Sequence, residues 1–335
     1  MGTSLALALR EHDIDVQLSD VRAENVDTAV SLGAGRPGPE GAPGLVVVAV
    51  PPSAVSETVV AALREWPEAI VTDLSSVKSE PGRAVAESDG AARYAGSHPM
   101  AGSERSGPLA ASGQLFEGRA WAVTPGSSSG RRAVEVVHEL ARLAGAAAIE
   151  MDAAEHDQAV ALVSHLPHLL SVLAASQLHD APSAYLELAG PGLRDVTRVA
   201  GSDTWLWQQI LSGNAEPVRS RLESVRDELD ALIAALGSNP AAVGNALTRG
   251  KSGTELIPGK HGGTATASVF VQVPDRPGSL STLMTHAKDS GINVEDFRIE
   301  HGLDRPIGIA EMMVPEERAD ALVDVLANLG WSVYR

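Results

Sequence analysis

The chain has no cysteine. Disulfides, thiolate metal sites and a cysteine nucleophile are thereby excluded, and the absence agrees with a reducing cytosol. Positive charge is also in short supply: 26 Lys and Arg stand against 43 Asp and Glu, a formal net charge of -17. Nucleic acids and anionic membrane surfaces both need a positive field, so neither is an expected partner. The first residues lack the basic flank and apolar core of a secretion signal, and no apolar run reads as long enough to span a bilayer. The expectation is a soluble, cytoplasmic protein. An anionic substrate would need local arginines to offset the repulsive background, which makes individual arginines informative.

What is present is enough for real cores: 335 residues, 44% of them hydrophobic, suffice for two or three domains. The stretch Gly96-Ser97-His98-Pro99-Met100-Ala101-Gly102-Ser103-Glu104-Arg105-Ser106-Gly107 sets a histidine, hydroxyls and a carboxylate among three glycines. Such a loop presents polar groups rather than filling a core. Proline after His98 biases it toward extended backbone at the end of its strand, a good posture for an acid or base.

Upstream, Gly2 to Arg10 reads as a helix start and Val16 to Leu18 as a strand that closes at Asp20. In a dinucleotide-binding fold a glycine-rich turn opens the first helix, and an acid closing the second strand binds the adenosine ribose. Gly2 and Asp20 fit the last glycine and that acid, with NAD favoured over NADP. The first strand and first two glycines of the fingerprint are missing, so the chain is expected to begin inside the motif. Leu45 to Val50 then reads as a buried parallel strand ended by Pro51-Pro52, with Ser53 as helix cap, and Ala69 to Asp73 as the next strand. Ligands in such sheets lie beyond the strand C-terminal ends, so the exits at Val50-Pro51, Ser75-Ser76 and His98 should converge on one crevice.

Residues 1–150 are thus expected to form a Rossmann-type parallel-sheet domain. From Asp152 long helices take over, and 151–237 reads as an all-helical dimerisation domain, with Ala159 to Leu178 apolar on more than one face. Proline within His165-Leu166-Pro167-His168 should bend that helix, with both histidines on one face. Interface histidines beside a kink fit better than a metal site, since no third ligand stands at a recognisable spacing. Gly192 to Arg198 supplies arginines. Residues 238–265, rich in small and polar residues, read as a linker with a short helix near 241–247. Residues 266–335 carry a βαββαβ, ferredoxin-like order.

The Gly96 to Gly107 run closely resembles that of prephenate dehydrogenases, the TyrA family, and the resemblance covers nearly the whole chain. It implies NAD-dependent oxidative decarboxylation of prephenate, or of arogenate, with ring aromatisation as the driving force. On this resemblance His98 is the catalytic histidine and Ser76 supports it; Ser103 and Glu104 line the substrate pocket. His168 lies near the substrate side chain, and Arg198 holds a substrate carboxylate. Gly2, Asp20, Val50, Pro51 and Ser75 fall on the NAD side, and a homodimer is implied.

The C-terminal segment resembles an ACT domain through the turn Asp275-Arg276-Pro277-Gly278. That implies tyrosine as a feedback effector, bound near Asp275, Pro277, Gly278 and Asn293. A purely structural pairing module is the plainer alternative there. A catalytically silent amino-acid sensor and a metal enzyme at His165 and His168 are the rival readings of the whole chain.

Overall fold

The computed structural model describes residues 1–102, 107–257, 265–301 and 307–335. Ser103 and Glu104 lie outside the described residues. The chain divides into two compact units, Met1–Glu228 and Leu229–Arg335.

The first unit opens with α1 (Gly2–Leu9), β1 (Gln17–Leu18), α2 (Ala23–Ser31) and β2 (Arg36–Pro37). Then come β3 (Leu45–Val48), α3 (Pro52–Glu65), β4 (Ile70–Asp73), α4 (Ser79–Ala86) and β5 (Gly96–Pro99). The strands β6 (Ala120–Thr124) and β7 (Ala147–Glu150) flank α5 (Arg131–Leu143). β1 pairs with β2 and β3 with β4, both parallel, and β6 with β7 likewise. Among the described residues no ladder joins the first pair to the second.

The period of two in the strands places neighbouring side chains on opposite faces. Ile70 joins Leu5 and Leu9 of α1, Trp121 and Val123 of β6, and Val137 and Leu140 of α5 in one core. Val71, the next residue, joins Val55 and Val59 of α3, Val85 of α4 and Tyr94 on the other face. Both faces are therefore covered by helices, which explains why β4 is buried at every residue.

The sheet is not wholly parallel, as the sequence suggested. β5 runs antiparallel to β6; among the described residues the chain between them holds a 3-10 turn, Pro108–Ala110, and no crossover helix to bring it back in parallel. A further correction concerns Ser53. Its side chain caps nothing; α3 starts at Pro52, and the Ser53 amide donates to Gln209 Oε1 at 3.1 Å.

The helical part continues through α6 (Ala153–Val160), a π turn (Ala161–His165) and α7 (Leu166–Ser176). It is completed by α8 (Ser183–Leu186), α9 (Pro191–Thr197), α10 (Thr204–Gly213) and α11 (Ala215–Ala235), the last of which crosses into the second unit. Contrary to the sequence expectation, one helix, Ala153–Ser176, is long and apolar enough to cross a membrane by length and composition. It is also wired to the sheet by buried His156 and Asp157, as shown below, and a bilayer offers no such partners.

In the second unit the expected linker is largely helix: α12 spans Pro240–Glu255. Asn239 caps it, its side chain accepting from the Ala242 amide at 3.1 Å, and Pro240 occupies the first turn, where no amide hydrogen is needed. Beyond it lie β8 (Thr266–Pro274), α13 (Ser279–Asp289), β9 (Asp296–His301), β10 (Ile307–Pro315), α14 (Glu316–Asn328) and β11 (Val333–Tyr334). The order across this sheet is β11-β8-β10-β9, all antiparallel. Alternate residues Val269, Val271 and Val273 of β8 meet Leu283 of α13 and Leu322 of α14, so both helices cover one face.

Candidate active site

His98 lies near the end of β5, on extended backbone as expected and paired with Ala122. Alternation turns Ser97 into the core, where it is fully buried, and leaves His98 part-buried on the other side. The core side is a dense polar knot. Lys78, fully buried, forms an ion pair with Asp73 at the end of β4, and its Nζ also donates to Ser97 O at 2.7 Å. Tyr94 Oη donates to Asp73 Oδ2 at 2.7 Å, and Ser97 Oγ donates to Asp73 O at 2.8 Å. The exit loop of β4 is thereby tied to the strand that carries His98. Burial pulls the Lys78 pKa down, against the pull of Asp73 and Asp157; burial and Asp73 together push Tyr94 well up.

The helical part reaches this knot through α6. His98 Nδ1 lies 2.9 Å from His156 Nε2, and His156 Nδ1 lies 2.9 Å from Asp157 Oδ1. Asp157 also accepts the backbone amides of Lys78 and Ser79, at 2.8 and 2.9 Å, which fills donors left over at the start of α4. Burial pushes the Asp157 carboxyl up, but hydrogen bonds from His156, Ser79 and Lys78 outweigh it and leave the pKa below the usual range. Burial, helped by the charges of His156, Lys78 and His165, holds His98 well below the ordinary histidine value, with Asp157 opposing.

The two remaining histidines meet α10. His168 stacks on Trp207 with centroids 3.5 Å apart, and His165 packs edge-on against the same ring at 5.9 Å. Asn214 Nδ2 donates to Asp157 O at 2.8 Å and contacts His165 Nδ1 at 3.1 Å. Burial lowers His165 to about 4 and lowers His168 as well. His168 Nδ1 is buried without a hydrogen-bond partner among the described residues. No third metal-ligand side chain joins this pair among those residues.

The other expected residues fall as follows. Ser76 is half-buried in the β4 exit loop beside buried Ser75, whose amide donates to Asp73 Oδ1 at 2.8 Å. The contact recorded for His98 is with His156 rather than Ser76. Arg198, itself exposed, opens a 3-10 turn, Arg198–Gly201, that packs against α7. Gly2 begins α1, where an added Cβ would lie 3.1 Å from Ala49 Cβ; Val50 and Pro51 follow β3; Asp20 follows β1, exposed.

In the second unit, Gly278 takes a left-handed φ of 89° to start α13. Asn293 lines a surface depression of about 440 Å³ with Met284, Lys288 and Ile292, but Asp275, Pro277 and Gly278 do not line it.

Residues 5–150 match the family model described as prephenate dehydrogenase, nucleotide-binding domain, and residues 152–243 that described as prephenate dehydrogenase, dimerization domain. Over 347 aligned residues the chain is 32% identical to the probable prephenate dehydrogenase NovF of Streptomyces niveus, covering 99% of this chain and 96% of that one. The chain belongs to the prephenate dehydrogenase family. It is also 29% identical to the prephenate dehydrogenase of Bacillus subtilis, over 69% of this chain and 64% of that one. Among solved structures, that of the Aquifex aeolicus prephenate dehydrogenase with hydroxyphenyl propionate and NAD+ superposes with a TM-score of 0.69 at 26% identity. The match covers 77% of this chain and 95% of that one.

Placed in this family, the site holds residues the sequence reading passed over: Lys78, His156, Asp157, Trp207 and Asn214. Asp152 to Glu155 read only as a helix start, and adjacent residues such as His156 and Asp157 show no face periodicity that would mark them as partners. They sit within the polar run Glu155-His156-Asp157-Gln158, and nothing in the sequence separates the two that turn inward from their neighbours.

Proposed function

We infer that this chain is an NAD-dependent prephenate dehydrogenase, converting prephenate to 4-hydroxyphenylpyruvate and CO2. The observation that carries the reading is His98. It is an imidazole fixed in a strand, kept neutral at pH 7 by its surroundings, and tied through Ser97 and Lys78 to the exit loop of β4. Such a group can accept the proton of the ring hydroxyl while the carbon beneath it loses hydride. As the ring carboxylate leaves, its electron pair completes the aromatic ring, and the oxygen recovers its proton as a phenol.

The residues on the cofactor side fit NAD. A Cβ at Gly2 would lie 3.1 Å from Ala49 Cβ, a tight contact, so the glycine suits close approach of α1 to the loop after β3. The exposed Asp20 carboxylate, where a ribose hydroxyl would donate, repels a 2′-phosphate. Val50, Pro51 and Ser75 stand at the strand exits that such a ligand spans. NAD+ when bound supplies the hydride acceptor.

On the substrate side, Arg198 orients a carboxylate, and His168, its Nδ1 left without a protein partner, faces the side chain of the substrate. The family resemblance assigns Ser76, in the β4 exit loop, to the nicotinamide side of the histidine, and assigns Ser103 and Glu104, which lie outside the described residues, to substrate binding. Initial rates of NADH formation with prephenate and with arogenate, measured side by side, test the assignment. Turnover of neither would overturn it, and a preference for arogenate would change the substrate alone.

The dimer contact falls on the outer face of the π turn and α7, where Leu162, Val163, Leu170 and Leu173 are exposed in the single chain. The C-terminal sheet is an ACT domain that takes tyrosine, a reading supported by its strand order and by the Gly278 turn. Removal of residues after Gly263 should abolish tyrosine sensitivity; unchanged inhibition would sink that role.

A further inference from the structure

We propose that Asp157 and His156 form a one-way proton-directing relay that fixes His98 with its hydrogen on Nδ1 and a bare Nε2, making His156 the positioning residue for the base. The proposal rests on the assignment of His98 as the base and adds what sets its tautomer.

The direction follows from donors whose chemistry leaves no choice. The amides of Lys78 and Ser79 can only donate, and they occupy Oδ1 and Oδ2 of Asp157 at 2.8 and 2.9 Å. Asp157 is therefore an acceptor at both oxygens, and the third contact, from His156 Nδ1 at 2.9 Å, must also be a donation. A neutral imidazole carries one ring hydrogen. With that hydrogen on Nδ1, His156 Nε2 is a lone pair. Its 2.9 Å contact with His98 Nδ1 is then a hydrogen bond only if His98 donates. The lone pair of His98 falls by exclusion on Nε2, where the hydroxyl proton is taken up and from which it returns to the phenol oxygen.

The enclosure suits the task. His156 and Asp157 are almost wholly buried, so water does not compete for either contact. The charged and titratable groups acting on His98, besides His156 itself, are Lys78 before α4, Asp157 on α6 and His165 in the π turn. His156 and His98 meet edge-on, with ring planes 72° apart, so the bond lies in the plane of one ring and not across its face.

The test has two parts. In uniformly 15N-labelled full-length protein at pH 8, long-range 1H–15N spectra, with the His98 signals assigned by their loss in His98→Asn, should show Nδ1 protonated and Nε2 bare. Protonation on Nε2 would overturn the relay whatever the enzyme turns over, so its failure is separable from failure of the functional reading.

For the second part, His156→Leu removes the acceptor and His156→Gln restores one through its amide oxygen. The leucine variant should lose on the order of 10–100-fold in kcat, as seen when an orienting partner is removed. Its KM and NADH affinity should stay within about twofold, and the glutamine variant should recover most of the loss. Wild-type kcat and pH profile in His156→Leu would refute the proposal. Should that variant not fold, the wild-type tautomer decides alone.

Discussion

His98 and Lys78 show how differently two buried or half-buried bases are used within one strand-and-loop unit. His98→Asn keeps the hydrogen-bonding shape but cannot accept a proton, so kcat should fall by roughly 10³-fold, within the range for general base removal. NADH binding followed by fluorescence titration should be nearly unchanged, because His98 lies in β5 and not among the Gly2 and Asp20 elements. Lys78 makes no such use of its charge. It neutralises Asp73 in a place without water, and Lys78→Met should cost about 3–5 kcal/mol in denaturant unfolding by leaving a buried carboxylate unpaired. Adding Asp73→Asn should recover much of that loss. The histidine was legible because its glycine and proline neighbours announce a loop edge. Lys78, His156 and Asp157 were not: beyond the near pairs Lys78–Asp73 and His156–Asp157, the contacts that bring them to the site span 19 to 79 residues of sequence, and pairings of that range leave no periodic trace.

Helices and strands carry a second set of expectations. α10 supplies Trp207 to the two histidines and Gln209 to the start of α3, so its own N-terminus matters. Asp203 caps it, accepting from the Leu206 amide at 2.7 Å. Asp203→Ala should lower stability by about 1 kcal/mol in a denaturant titration and raise the KM for prephenate more than that for NAD. The strongly patterned elements, such as β4, α5 and the C-terminal βαββαβ run, were readable because apolar periodicity there matches the buried face. α12 was hidden by its glycines and serines, although Asn239-Pro240 is a good helix start; capping outweighed poor interior propensity. The reversal of β5 was hidden for another reason. Strand direction is set by what the connecting segment contains, and residues 100–119 give no helix pattern to read.

At the scale of the whole molecule, buried histidines make stability depend on pH. An imidazole whose folded pKa lies below its unfolded value of about 6.5 binds fewer protons when folded, so stability is lost as pH falls through that window. His165, lowered to about 4, should alone contribute a loss of ~3 kcal/mol between pH 6.5 and 4, with His98 adding in the same direction. Thermal unfolding at pH 7.5 and pH 5 should show the drop, and His165→Asn should flatten it. Association should respond to the outer face of the π turn and α7: Val163→Lys is expected to give a monomer in sedimentation velocity while leaving the far-UV spectrum intact. The α/β-then-helical plan was visible from the rhythm of the chain. The division after Glu228 was not, since α11 runs through it without a break.

The grip of Asp157 on α4 has one more consequence. The first amides of a helix ordinarily have no partner inside it and exchange with solvent within moments. Those of Lys78 and Ser79 end on a carboxylate from α6 instead. Their deuterium uptake is therefore a clock for the lifting of the helical layer from the sheet, and it can be read in the resting enzyme with no substrate present.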